Sequence, residues 1–198
     1  MPVRPPQQDR SRITRRRLLD SAVASLAQVG WTATSVQLVA GRAGVSRGAA
    51  QHHFPTRESL FEAVIDYITE QRKAELSRGA EQLPAGPERT EAVLQLLVGL
   101  YTGPLFRAAL QIWTAASSEA SLRARILPLE AELGRRAHAV ALELLDVSEA
   151  EPGVRESVQA TLDLARGLGL AAVLRDDSRR RGRVVAHWAR ELDRQLGR

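Results

Sequence analysis

No cysteine occurs among the 198 residues, which excludes a disulfide framework, thiolate catalysis and cysteine-ligated zinc. Histidine is also scarce. His52 and His53 are adjacent and so point to different faces of a helix, while His138 and His187 stand alone without an H-E-x-x-H spacing, so no metal site is expected. No Walker or dinucleotide glycine motif is present, and Gly167-Leu168-Gly169 lies inside an alanine- and leucine-rich helical run. No catalytic constellation and no cofactor are expected. No run approaches the roughly 18 apolar residues of a membrane span, and the start, MPVRPPQQDR, lacks the apolar core of a signal peptide. The expectation is a cytoplasmic protein without a membrane partner. Lysine occurs once, at Lys73, against 27 arginines, a compositional bias of the kind a GC-rich coding sequence leaves. Aromatic residues make up 4% of the chain.

What is present is helical periodicity. With 44% hydrophobic residues the chain has enough for a core, and no alternating segment is long enough to read as a strand. The spacing predicts an all-α chain of about nine helices. One runs from about Glu58 to Arg78 with Leu60, Val64, Ile65 and Ile68 apolar, then a linker covers Gly79 to Pro87. Glu88 to Tyr101 and Leu105 to Ser117 follow on either side of Gly103-Pro104, then a helix after Ser121 that Pro128 interrupts or restarts. Ser148 to Glu151 has capping-box spacing and opens a helix through Arg175, and the last runs from Ser178 to Leu196. Arg179, Arg180, Arg181 and Arg183 read as a solvated loop before that helix.

Residues 34 to 54, TSVQLVAGRAGVSRGAAQHHF, describe two short helices around a glycine turn. Thr34 or Ser35 caps the first, whose apolar positions Val36, Val39, Ala40 and Ala43 follow the i, i+3, i+4 rule. Gly44 permits the left-handed backbone of a sharp corner, Val45 fills it, and Ser46 caps the second helix. Gly48, Ala49 and Ala50 are small enough to bring that helix deep into a major groove, with Arg47, Gln51, His52 and His53 as polar reach. Charge agrees with this reading. Residues 1 to 57 hold nine arginines against Asp9 and Asp20, a net of +7, whereas residues 58 to 198 carry a net of −2. A basic end suits a phosphate backbone; Arg10, Arg12, Arg15, Arg16 and Arg17 lead from a Pro-rich start into the first helix. Gly44 to Gly48 also spell G-x-S-x-G, but a nucleophile elbow needs a preceding strand, and the stretch before Gly44 is helix-periodic. A helical hydrolase is the weakest alternative.

These residues resemble the N-terminal domain of TetR-type transcriptional regulators: Ala43 to Ser46 match the A-G-V-S turn, and His53, Phe54, Arg57, Leu60 and Phe61 continue the pattern. Ala50 and Gln51 depart from it, the family having a bulky aliphatic and a tyrosine there. The resemblance implies a flexible basic arm over 1–11, a three-helix DNA-binding domain over 12–72 with its helix-turn-helix at 35–54, and a helical ligand-binding and dimerisation domain over 73–198. It implies a sequence-specific regulator that binds double-stranded DNA at a palindromic operator, as a repressor released by a small-molecule effector; an activator or a non-specific architectural binder are the alternatives. Arg47 is assigned to base readout; Thr34, Ser35, Ser46 and His53 to the DNA backbone; Arg57 follows from the family pattern; Gln51 is open between phosphate and base.

By the same resemblance, an effector cavity draws on Tyr101, Phe106, Leu110, Trp113, His138 and Leu142, with Arg107 or Gln111 orienting a polar ligand. A homodimer seam draws on the small Gly167 and Gly169 with Leu162, Leu168, Val184, Val185, Trp188 and Leu192.

Overall fold

A computed structural model describes residues 7–197, which contain nine helices and no strand. The helices are α1 (Gln7–Ala33), α2 (Val36–Ala43), α3 (Arg47–His53), α4 (Arg57–Ala80), α5 (Arg89–Gly99), α6 (Gly103–Ser118), α7 (Ala120–Leu145), α8 (Val154–Ala171) and α9 (Ser178–Gln195). Two apolar cores organise them. In the head, Leu18, Leu19 and Leu26 of α1 pack against Val39 of α2, Ala50 of α3 and Leu60 and Val64 of α4. In the body, Leu94 and Leu97 of α5, Leu145 of α7, Val158 of α8 and Leu192 of α9 are all buried together. Residues of α6 enter both cores, and α4 runs from one to the other, so the two parts share two rigid elements.

Helix α1 begins at Gln7, within the stretch read as an arm; residues 1–6 lie outside the described residues. It bends at Gly30 (φ 80°), which swings Trp31 onto Phe61 with ring centroids 4.1 Å apart.

Three expectations along the body need correction. Pro128 does not break α7. Pro128 and Ala124, four residues before it, are both exposed, so the lost backbone hydrogen bond faces water. The Ser148–Glu151 box does not open a helix: the Ala150 N–H donates to Ser148 Oγ (3.3 Å) in a turn, Pro152 disfavours helix at Glu151, and α8 starts only at Val154 and stops at Ala171. The arginine cluster is not a loop. It forms the first turns of α9, where buried Asp177 accepts from Arg180 (2.8 Å) and Arg181 (3.0 Å), the arginine hydrogen bonds holding its carboxyl below the ordinary range. Among the described residues no single helix is long and apolar enough to cross a membrane.

Candidate nucleic-acid interface

The corner between α2 and α3 is fixed by short-range chemistry. Ser35 is extended and its Oγ accepts from the Leu38 N–H (3.1 Å), a side-chain cap on an otherwise orphan donor. Gly44 closes α2 in the left-handed region (φ 61°, ψ 37°), where a side chain is strained. The Val45 N–H reaches back to Ala40 O (3.0 Å). Arg17 of α1 donates Nη2–H to Ala43 O (2.5 Å), taking up a carbonyl at the helix end that basic groups favour. Ser46 caps α3, its Oγ accepting from the Ala49 N–H (3.3 Å). The hydroxyl that the G-x-S-x-G spelling would make a nucleophile is thus a helix cap between two helices.

On α3 the residues divide by face. Ala50 is fully buried in the head core, so its small side chain serves packing and not groove access. Arg47, Gly48, Gln51 and His52 are exposed and Ala49 half-buried; a Cβ on Gly48 would meet nothing within 4 Å, leaving open space beside the backbone. His53 is half-buried, its ring 5.6 Å from that of His52 and 6.3 Å from Phe54. Burial first, then His52 and Arg15, push its imidazole below the ordinary pKa.

Two residues expected at the DNA surface face inward. Thr34 is fully buried and its hydroxyl donates to Gly30 O (2.7 Å). Arg57 donates Nε–H to Thr34 O (3.0 Å) and Nη2–H to Trp31 O, with its guanidinium over the rings of Trp31 (4.6 Å) and Phe61 (4.9 Å). It seals the carbonyl end of α1, an arrangement created by the bend at Gly30. Among the other basic residues, Arg42 of α2 donates to Ser25 Oγ (3.2 Å) and Gln28 Oε1 (3.0 Å), Arg15 lies over Phe54 (5.6 Å), and Arg12 pairs with Asp9 (2.6 Å). Sequence reading missed that Arg17 and Arg42 are tied to the scaffold.

Residues 18–64 match the family model for bacterial regulatory proteins of the tetR family. The match is to the N-terminal segment, which spans helices α2 and α3 and adjoining parts of α1 and α4. The HTH-type transcriptional regulator CymR of Pseudomonas putida is 31% identical over 126 residues, covering 62% of this chain and 60% of CymR. BetI of Escherichia coli is 32% identical over 105 residues, 52% of this chain and 53% of BetI. The chain thus matches between half and two thirds of the length of these relatives. Among solved structures, a transcriptional regulator of Pseudomonas aeruginosa aligns with TM-score 0.70 at 20% identity, covering 96% of this chain and 93% of that one. A TetR transcription regulator of Haloarcula marismortui aligns with TM-score 0.67 at 16% identity, covering 91% and 98%. The fold is therefore shared over nearly the whole chain.

The body scatters the residues expected around one effector. Tyr101 lines a cavity of about 250 Å³ between α4, α5, α7 and α8, and Phe106 packs edge-on behind it, 5.6 Å away. Leu110 packs on the body core and Trp113 on both cores. Arg107 is exposed at another face, and His138 and Leu142 line an outer groove between α7 and α8, where His138 Nε2 stands 3.5 Å from Glu149. Gln111 is at the joint of α1 and α6, its Oε1 accepting from the Trp31 N–H (3.4 Å).

The expected dimer residues also divide. Leu162, Leu168, Val185 and Leu192 are buried within the protomer, and Trp188 donates its indole N–H to Thr161 Oγ1 (2.9 Å). Gly169 is pressed against the Tyr101 backbone. Val184 is half-buried and Gly167 exposed. The outer face of α8 instead presents Leu170 (56% exposed) beside exposed Gly167 and Ala171, and the turn after it exposes Leu174 (94%).

Proposed function

We propose that this chain is a cytoplasmic, homodimeric transcriptional regulator that reads a palindromic operator in double-stranded DNA and, acting as a repressor, leaves it when a small molecule enters the body. The observation that carries this is the face of α3: Arg47, Gly48, Gln51 and His52 are exposed on a helix whose other side is locked into the head core. The regulator names of the relatives support it.

Among the described residues Arg47 has no anchor comparable to those of Arg17, Arg42 and Arg57, which suits a bidentate contact to guanine in the major groove. Replacing Arg47 with alanine should cost about 1–3 kcal/mol and relax specificity at one position of each half-site. Competition titrations with single-base operator variants check this. A loss equal for all sequences assigns Arg47 to phosphate.

For the dimer, the small and apolar positions Gly167, Leu170 and Ala171 are exposed on the outside of α8, with exposed Leu174 in the turn after it, so the seam is assigned to this outer face in place of the residues buried inside the protomer. A two-fold seam there sets two α3 helices on successive major grooves about 34–36 Å apart. Release follows from differential affinity: an effector that weakens DNA binding 100-fold must favour the released state by about 2.7 kcal/mol.

Selection of bound sequences from a random double-stranded DNA library at near-physiological salt tests the reading. The expected result is an inverted repeat whose half-site centres lie about one helical turn apart. Retention without any enriched motif would instead make the protein an architectural binder.

A further inference from the structure

Arg72 of α4 continues the apolar series Phe61, Val64, Ile68 at helical spacing, and its side chain follows them inward until the residue is only 6% exposed. Its Nε and Nη2 are buried without a hydrogen-bond partner among the described residues. Among the described residues no carboxylate comes within ion-pair distance of it. Glu130 is 3.7 Å from Arg166, and Glu75 is exposed; both act on Arg72 only through space. The guanidinium lies 5.8 Å from the Tyr101 ring and 5.9 Å from that of Phe106. A cation buried in this way is expensive unless something pairs with it, and burial indeed pushes its pKa below the ordinary arginine value.

The same side chain lines the cavity of about 250 Å³ between α4, α5, α7 and α8. The walls there are apolar, from Leu76, Leu97, Leu100, Val140 and Leu162, and the charged groups around it are Arg72, Lys73 and Arg136, with no acid among them. The volume falls just below the range of about 300–1,000 Å³ typical of drug-sized sites, so the occupant is compact.

We infer that this cavity takes a small carboxylic acid as its anion, the apolar body lying among the leucines and the carboxylate accepting from Nε and Nη2 of Arg72. An arginine fork matches a carboxylate in two parallel hydrogen bonds, and those are the two donors left unpaired. This rests on the reading of the body as an effector domain and supplies the ligand class for it.

Calorimetric titration of the full chain with two acids, octanoate and 2-naphthoate, and their amides tests the inference. At least one acid should bind about tenfold tighter than its amide, because the neutral isostere leaves the cation unpaired. The Arg72→Met variant should erase that preference while holding amide affinity within about twofold, and Arg72→Lys should keep part of it. Circular dichroism confirms that the variants fold; should Arg72→Met fail to fold, the wild-type acid-to-amide ratio and Arg72→Lys still decide. Equal binding of acid and amide, or a preference that survives Arg72→Met, overturns the anion assignment and leaves an effector cavity for neutral ligands. Failure of all four probes to bind at millimolar concentration overturns the cavity as a ligand site, while operator binding by α3 stands on its own measurement.

Discussion

Replacing Gly169 with alanine is expected to destabilise the folded chain by about 3 kcal/mol or more, lowering the melting temperature by roughly 6–12 °C. A Cβ at this position would sit 2.0 Å from the Tyr101 carbonyl oxygen and 2.6 Å from the Tyr101 Cβ. The first obstacle is backbone and cannot rotate away, so α8 must leave α5 or the turn after α5 must move. Gly167, two residues earlier on the same helix, has nothing within 4 Å of the added carbon. In the isolated protomer, Gly167→Ala should be neutral or stabilising by up to about 1 kcal/mol, because alanine loses less conformational freedom in a helix. Thermal and urea unfolding of both variants, with sedimentation to follow assembly, checks the pair. A Gly169→Ala protein that is as stable as the parent yet dissociates would put Gly169 at the seam after all. Loss of assembly in Gly167→Ala alone would support the outer face of α8.

Arg57→Ala is expected to cost about 2–4 kcal/mol. Its guanidinium supplies charge-assisted hydrogen bonds to two carbonyls, Thr34 O and Trp31 O, and covers two aromatic rings; such bonds contribute about 1.5–3 kcal/mol and a stacked cation about 0.5–2. Lysine restores the charge but not the fork, so Arg57→Lys should recover only part of the stability. DNA affinity should fall as well, through a loosened head. The outcome against this account is an Arg57→Ala protein of unchanged stability whose DNA binding weakens with a salt slope lower by about 1, the signature of one lost phosphate contact.

The two short helices and their corner were legible because their determinants lie within a few residues of one another. Ser35, Gly44 and Ser46 act on backbone groups next to them, and no distant packing is needed to foresee that. Arg57 and Thr34 were not legible for the opposite reason. Each turns inward because the end of α1 bends at Gly30 and brings the Trp31 and Thr34 carbonyls under the start of α4, a three-dimensional event with no local spacing. The small residues near 165–172 signalled a close helix approach, and there is one, but at Gly169 it is between α8 and Tyr101 of the same chain; composition does not say whose backbone draws near. Leu168 and Leu192 follow apolar spacing equally suited to a seam or to a core, and the core holds them.

In the cavity, Tyr101 has the aromatic, polar-tipped character expected of a ligand group, whereas Arg72 does not follow from that character. The signal was available in the sequence: a lone arginine at the next i+4 step of the apolar face Val64, Ile68. Gln111, expected to orient a polar ligand, instead accepts from the Trp31 N–H at the bend in α1.

The measurement that tests the central claim most directly is the ratio of affinities for the selected inverted repeat and for a scrambled duplex of the same composition, at one fixed near-physiological salt concentration. A specific regulator reading bases through the exposed face of α3 predicts a ratio of about 10³ or more. A ratio near one would mean that the basic head binds DNA through phosphates alone, and the regulator reading would fall.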